Sequence, residues 1–520
     1  MERPEPELLD QAFTRAAGAS LVRGNSVGLL RDATQNYPAW LRAIQGARRS
    51  VCFENYIFCE DEVGAQFAAA LIERARAGVA VRLIYDWLGC LGKASRQFWR
   101  PLIAAGVMVR CCNPPSAAHP LRWLQRDHCK LLAIDGELGF ITGLCVGEPW
   151  RGDPARGIAP WRDTGVAIQG PSLVEIERAF AAVWAASEPV AGANGAMAEG
   201  TRQAFEPDPV PAPAAGTVAL RVVATAPGTL AVLRVDQLIA SAASRTLWIT
   251  DAYFAGIPPY IQALRAAALD GVDVRLLVPG SSDIPLLRPL SQAGYRSLLE
   301  AGVRVFEWKG SMLHAKTAVA DGRWARVGSS NLNIASWVGN YELDALIEDE
   351  GFAGQMEQMF EADLTCATEI VLRRERRRRG ATAALLALGH RRRKEDLTAA
   401  AGAAGRGERS GRAGRAAAGA LRLGRTVGAA LTEQRVLAST EGRIVAVVAV
   451  LALAVAVCVL VWPWLAAAPV ALFLGWVSLV LFLRAFTLRR ERQRNGLAAA
   501  HLERTPGSPG PDPPPAQDGS

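Results

Sequence analysis

At 520 residues, half of them hydrophobic, with a net charge of only +8, the chain is too apolar to be disordered and long enough to bury more than one compact core. Its nine cysteines, an odd number without metal-ligand spacing or a repeated framework, exclude a disulfide scaffold. The first residues lack the apolar core of a signal peptide, so the expected setting is a reducing cytosol, with Cys111, Cys112 and Cys129 as ordinary buried thiols.

In chain order, a short helix is expected at 8–17, then a helix through Trp40, Leu41 and Ile44 and a strand at 50–58. A helix at 67–77 stops at Gly78 before an apolar strand at 79–85, and a further helix-glycine-strand unit spans 102–109 with Gly106 at the break. Alternation at this spacing predicts an α/β fold with a largely buried sheet. The order then repeats: Gly78-Val79-Ala80-Val81-Arg82-Leu83 matches Gly271-Val272-Asp273-Val274-Arg275-Leu276, and Ala105-Gly106-Val107-Met108-Val109 matches Ala301-Gly302-Val303-Arg304-Val305.

Two lobes, 1–187 and 217–370, are therefore expected to pack face to face around an Ala/Pro/Gly-rich linker or surface excursion at 188–216. Residues 371–443 are an Arg- and Ala-rich amphipathic region, with arginines concentrated at 373–374 and 376–379 and a basic run at 391–394, which suits an anionic surface such as lipid headgroups or nucleic acid. Two charge-free apolar runs, 444–462 and 464–483, are each long enough to span a bilayer, and Trp462-Pro463-Trp464 separates them. A transmembrane hairpin over 444–484 is expected, with basic flanks placing both ends in the cytosol, followed by a basic and then Pro-rich disordered tail at 485–520.

Each lobe carries one short motif, His128-Cys129-Lys130 with Asp135 and His314-Ala315-Lys316 with Asp321. Histidine and lysine each occur only five times in the chain, so a single His-x-Lys pair would arise in roughly one shuffled chain in twenty. Two pairs with Asp at the same offset are not chance. The chain writes nearly every positive charge as Arg yet keeps Lys here, and a compact ammonium suits a phosphate oxygen beside a reacting nitrogen. Each motif opens a strand, where residues two apart face one side, so His and Lys project together. Two lobes would offer two imidazoles and two ammonium groups around one phosphodiester. One imidazole can attack phosphorus while the other protonates the leaving oxygen and then deprotonates the incoming hydroxyl. The lysines supply the positive field, and no metal or other cofactor is expected.

This arrangement resembles the phospholipase D superfamily, whose signature is a duplicated His-x-Lys-x4-Asp motif, over roughly residues 25–365. Gly328-Ser329-Ser330-Asn331 and Glu342 complete the second copy. In the first, Thr142-Gly143-Leu144-Cys145 has Cys145 where Asn is expected, and Trp161-Arg162-Asp163 retains a carboxylate. The resemblance implies that His128, Lys130, Asp135, His314, Lys316 and Asp321 are catalytic and that Ser329, Asn331, Asp163 and Glu342 bind or orient. Glu54-Asn55-Tyr56-Ile57-Phe58, Asp86 with Gly89, Asn113-Pro114 and Arg126-Asp127-His128 fall in the order of bacterial cardiolipin synthases. That likeness implies phosphatidyl transfer between two phosphatidylglycerols through a phosphohistidine, with His128 as nucleophile and His314 as acid/base. The implied partners are an anionic phospholipid and the bacterial inner membrane, with a cytosolic catalytic body and no nucleic acid. Family members often place membrane segments before the catalytic body, whereas here they follow it. Hydrolytic phospholipase D, nucleic-acid phosphodiesterase and inactive membrane scaffold remain as alternatives.

Overall fold

The computed structural model describes residues 6–372 apart from 117–121, 193–194, 209 and 285–286. The expected Arg-rich region, hairpin and tail lie outside the described residues, and among those described no helix is long and apolar enough to cross a membrane.

After α1 (Pro6–Ala17), the first lobe runs β1 (Val22–Arg31), α2 (Asp32–Gly46), β2 (Ser50–Asn55), α3 (Glu62–Arg76), β3 (Ala80–Asp86), α4 (Arg96–Ala104) and β4 (Met108–Cys112). It continues with β5 (Arg126–Asp127), β6 (Lys130–Ile134), β7 (Leu138–Thr142), α5 (Glu148–Arg151), β8 (Thr164–Gln169), α6 (Leu173–Ala186) and β9 (Glu188–Pro189). The second lobe comprises β10 (Val218–Thr225), α7 (Ala231–Ala242), β11 (Thr246–Asp251), α8 (Pro258–Leu269), β12 (Asp273–Pro279) and α9 (Leu287–Glu300). Then follow β13 (Arg304–Trp308), β14 (Lys316–Ala320), β15 (Trp324–Gly328), β16 (Asn340–Glu348), α10 (Glu350–Leu364) and β17 (Ala367–Ile370).

The duplication extends to strand order. The first sheet reads β1-β8-β7-β6-β2-β3-β4-β9 and the second β10-β16-β15-β14-β11-β12-β13-β17, in each case with three parallel strands among antiparallel ones. Edge strands β1 and β10 pair antiparallel and join the lobes. Local chemistry sets the boundaries: Asp61 caps α3 by accepting from Gly64 N–H at 2.9 Å, and Gly78, at φ +86°, lets the chain leave the helix and enter β3. Phe180 and Trp184 of α6 and Phe352 and Met356 of α10 share one buried cluster with strands of both sheets. Such a common core, removed from water on both sides, holds the lobes together through the hydrophobic effect.

One placement differs from the sequence expectation. The α1 helix, assigned by sequence to the first lobe, buries Phe13 and Ala17 among Val232, Val235 and Trp324 of the second, because its apolar stripe covers α7. The excursion after 188 is seated on the first lobe: the buried Arg110 guanidinium donates to the carbonyls of Thr201 at 2.9 Å and Gln203 at 3.2 Å.

Candidate active site

Both motifs begin their strands beside the carboxyl ends of parallel strands, with Asn55 opposite Lys130 and Asp251 opposite Lys316. The backbone entering each motif is fixed by the opposite lobe. Arg126 and Asp127 pair in parallel with Asn340 and Tyr341, and His128 N–H donates to Tyr341 O at 2.9 Å. In the mirror-image junction Arg162 bridges Leu313, and His314 N–H donates to Arg162 O at 2.7 Å. Arg162 is itself pinned, its buried guanidinium lying 2.7 Å from Asp363 of α10 and 3.1 Å from Asp32.

This crossing exchanges the carboxylates. His128 Nδ1 lies 2.9 and 3.1 Å from the two oxygens of Glu342, and His314 Nδ1 lies 2.6 Å from Asp163 Oδ2. Each ring is held by the lobe it does not belong to. Contact at Nδ1 fixes ring orientation, and neither Nε2 has a protein partner among the described residues. Glu342 also accepts from Ser329 Oγ at 2.5 Å and Asn340 Nδ2 at 3.0 Å, so Ser329 acts on the first-lobe histidine through a carboxylate. Lys130 Nζ donates to His128 O at 2.6 Å; Lys316 Nζ donates to His314 O and stands 2.9 Å from its Nδ1.

All four basic groups are buried and act on one another. Burial pushes His128 below its ordinary value, partly offset by Glu342, with Lys130 and Lys316 adding to the depression. His314 falls well below its ordinary value through burial and then the charges of Lys316, Lys130 and His128. The four therefore form one electrostatic site. Burial would raise Glu342, but His128, Lys130 and the Ser329 hydroxyl outweigh it and hold the carboxyl ionised. Asp163, with weaker support, is pushed up by burial to about 6, and Lys316 is pushed down by burial to about 8.

The remaining site residues divide. The Asn331 side-chain oxygen is buried without a partner among the described residues, and Cys145 stands at the same distance after the first motif, its thiol pushed up by burial but drawn down by both lysines. A Cβ at Gly143, the counterpart of Ser329, would overlap the Asp163 carboxylate, so the first copy cannot carry that serine without moving Asp163. Asp135 and Asp321 stand apart from the histidines and lysines of their motifs. They lie at the far ends of five-residue strands, about 16 Å of chain from the motif lysines. Both adopt positive φ, 56° and 55°, and cap turns. Asp135 accepts from the N–H groups of Arg48, Arg49 and Ser50 at 2.7 to 2.8 Å, and Asp321 from those of Ser244, Arg245 and Thr246 at 2.7 to 3.0 Å. Charge-assisted bonds of this kind join the amino ends of β2 and β11 to their neighbours.

Sequence reasoning missed the aromatic wall. Trp150, Trp161 and Tyr253 have ring centroids 5.6 to 5.7 Å from the His314 ring, and Tyr56 packs edge-on to His128 at 4.8 Å. It also missed the trio Glu54, Asp127 and Cys129, whose ligand-type atoms lie within 4.8 Å of one another. Burial, with the neighbouring Asp127, holds the Glu54 carboxyl well above its usual range. Burial also pushes Asp127 up to about 7, so the pair is best described as sharing a proton beside Lys130.

The family described as "Cardiolipin synthase, PLD-like domain" matches residues 40–145 and 235–364, one segment in each lobe. Cardiolipin synthase A of Pseudomonas aeruginosa is 32% identical over 367 residues, 69% of this chain and 71% of that protein. Cardiolipin synthase 1 of Bacillus cereus is 29% identical over 365 residues, 70% of this chain and 71% of its own length. Among solved structures, phosphatidylserine synthase of Haemophilus influenzae superposes with a TM-score of 0.56 at 13% identity, covering 75% of this chain and 99% of that one, which speaks for the fold alone. The duplicated motifs, the matched segments and the bacterial relatives together establish that this chain belongs to the cardiolipin synthase group of the phospholipase D-like family.

Proposed function

We propose that the protein is a cardiolipin synthase-like phosphatidyltransferase of a bacterial membrane, moving a phosphatidyl group from one phosphatidylglycerol to a hydroxyl of a second and releasing glycerol. The observation that carries this is the exchange of carboxylates, which fixes two imidazoles, each with Nε2 unengaged among the described residues, beside two lysines in one buried site. His128 Nε2 attacks phosphorus as the P–O bond to glycerol breaks, and His314, protonated at Nε2, gives its proton to the departing oxygen. His314 then takes the proton of the incoming glycerol hydroxyl, whose oxygen displaces His128 from phosphorus. Both histidines return to their starting states.

Three features support these roles. Glu342, held ionised, keeps the His128 proton on Nδ1 and increases the electron density at Nε2. Burial, then Lys316 and Lys130, depress His314, so an anionic phosphodiester between the lysines offsets their share and favours the protonated ring the first step needs. The lysines then receive charge developing on the nonbridging oxygens. The site residues themselves account for every proton moved, and the trio at Glu54 enters none of these steps.

Full-length protein in vesicles with headgroup-labelled phosphatidylglycerol should yield cardiolipin and one labelled glycerol per product. His128→Ala and His314→Ala should each abolish both. Accumulation of phosphatidic acid without cardiolipin would instead identify a hydrolase.

A further inference from the structure

We infer that the face bearing the active-site mouth is a bilayer-penetrating surface, through which the catalytic body seats itself on the lipid that contains its substrates. This extends the phosphatidyl-transfer reading but rests on a separate observation. Of the twelve large apolar side chains left exposed among the described residues, seven lie on loops at one end of the fold, the others being Leu8, Val210, Leu269, Val371 and Leu372. In the first lobe these are Leu88 and Leu91 after β3, Leu124 after β4 and Ile158 between β7 and β8. The second lobe adds Ile284 after β12, with Ile334 and Val338 between β15 and β16.

Each lies on a loop that also builds the site. Asp86, ahead of Leu88, accepts from Asp127 N–H beside His128 at 2.9 Å. Leu124 and Ile158 each stand four residues before a site position, His128 and Arg162. Asp283, next to Ile284, accepts from the hydroxyl of Tyr253, whose ring packs on His314, and Asn333, next to Ile334, donates to Tyr253 O. The opposite end, at the amino ends of the same strands, is built differently: its turns expose Arg48, Arg49, Arg76, Glu137, Arg245 and Arg323, with Leu269, Val371 and Leu372 as exposed large apolar residues there.

Packing does not explain this asymmetry, since Leu91 is 57% and Ile334 62% exposed. Single exposed apolar residues such as those elsewhere are ordinary, but seven on the loops around one mouth mark an interaction surface. Its occupant is assigned as lipid on two grounds. Exposed Lys93, on the Leu88–Leu91 loop, and Lys309, before the second motif, supply the flanking cations of an interfacial segment. The sequence beyond the described residues also carries two charge-free apolar runs long enough to hold the chain at a bilayer. Glu60, Glu148 and Asp283 are exposed on the same face, so insertion of apolar tips rather than net charge provides the attachment.

The test compares amide hydrogen exchange of the full chain in phosphatidylglycerol/phosphatidylethanolamine vesicles and in detergent at several protein concentrations. Protection in vesicles should appear at residues 87–92, 157–160 and 333–339 and not at 46–49 or 321–323. Equal exchange in both environments, or protection in detergent that grows with protein concentration, overturns the proposal, the latter by identifying a second copy as the occupant. Replacing Leu91 and Ile334 together with Ser should lower turnover of vesicle-embedded phosphatidylglycerol by about tenfold, as expected for two partly inserted aliphatic side chains. Turnover of a short-chain phosphatidylglycerol dispersed as monomers should be unchanged. Equal loss on both substrates would show that these side chains serve the site rather than the membrane. The exchange arm needs no catalysis, so failure of the transfer reading would leave it informative.

Discussion

Replacing Glu342 with Gln tests the crossed architecture most directly, because it alters the second lobe and is read out on a first-lobe histidine. The buried carboxylate accepts from His128 Nδ1 at 2.9 Å, Ser329 Oγ at 2.5 Å and Asn340 Nδ2 at 3.0 Å. An amide of the same shape removes the charge and one acceptor, leaving two of these donors to compete for a single oxygen while an NH2 faces the third. Loss of a buried charge-assisted bond costs about 1.5–3 kcal/mol, and an NH2 presented to Nδ1 would select the tautomer with its proton on Nε2, where the nucleophilic lone pair is needed. Together these predict a fall in kcat of about 10³–10⁴, the scale seen when the carboxylate of a histidine dyad becomes an amide. The assay is vesicle-based cardiolipin formation alongside acid-quenched trapping of radiolabelled phosphohistidine. Glu342→Gln should lose the trapped species as His128→Ala does while still unfolding cooperatively, at a melting temperature lowered in line with the lost bond. Activity within about threefold of the unmodified protein would refute the claim that this carboxylate sets the His128 tautomer.

The pH–rate profile should be bell-shaped. Asp163 must be ionised to support protonated His314, so activity rises with pH through about 6; Lys316 must be protonated to hold the phosphate, so activity falls again above about 8. A flat profile across that window would contradict both assignments. Gly143→Ala should displace Asp163 and lower kcat by about 10²-fold while the protein stays folded by circular dichroism. Asp321→Ala should behave in the opposite way, destabilising the fold by about 2 kcal/mol in a denaturant titration through lost turn bonds, with kcat of the folded enzyme retained. Asp127 has its folded value raised, so its relative stabilisation is full below the unfolded value near 4 and is lost as pH rises to about 7; Glu54→Gln, which supplies a permanent donor, should flatten that decline in melting temperature.

The duplicated order of helices and strands, the two His-x-Lys pairs and the carboxylates at Asp163 and Glu342 were legible in the sequence, since hydrophobic period and residue scarcity are local properties of the chain. Which histidine each carboxylate serves was not legible. Asp163 and Glu342 each lie downstream of one motif, yet β5–β16 pairing and the Arg162–Leu313 bridge carry each motif across to the other lobe's carboxylate. Spacing could not separate Asp135 and Asp321 from the reacting groups either, because a strand of five residues puts its two ends at opposite edges of a sheet. Sequence determined which groups are present and that they come in two sets. Tertiary structure alone decided their pairing, the hydrogen-bond and charge partners that separate Glu342 from the equally buried Asp163 in acidity, and the placing of exposed apolar tips around one mouth, because each depends on chain segments far apart in sequence meeting in space.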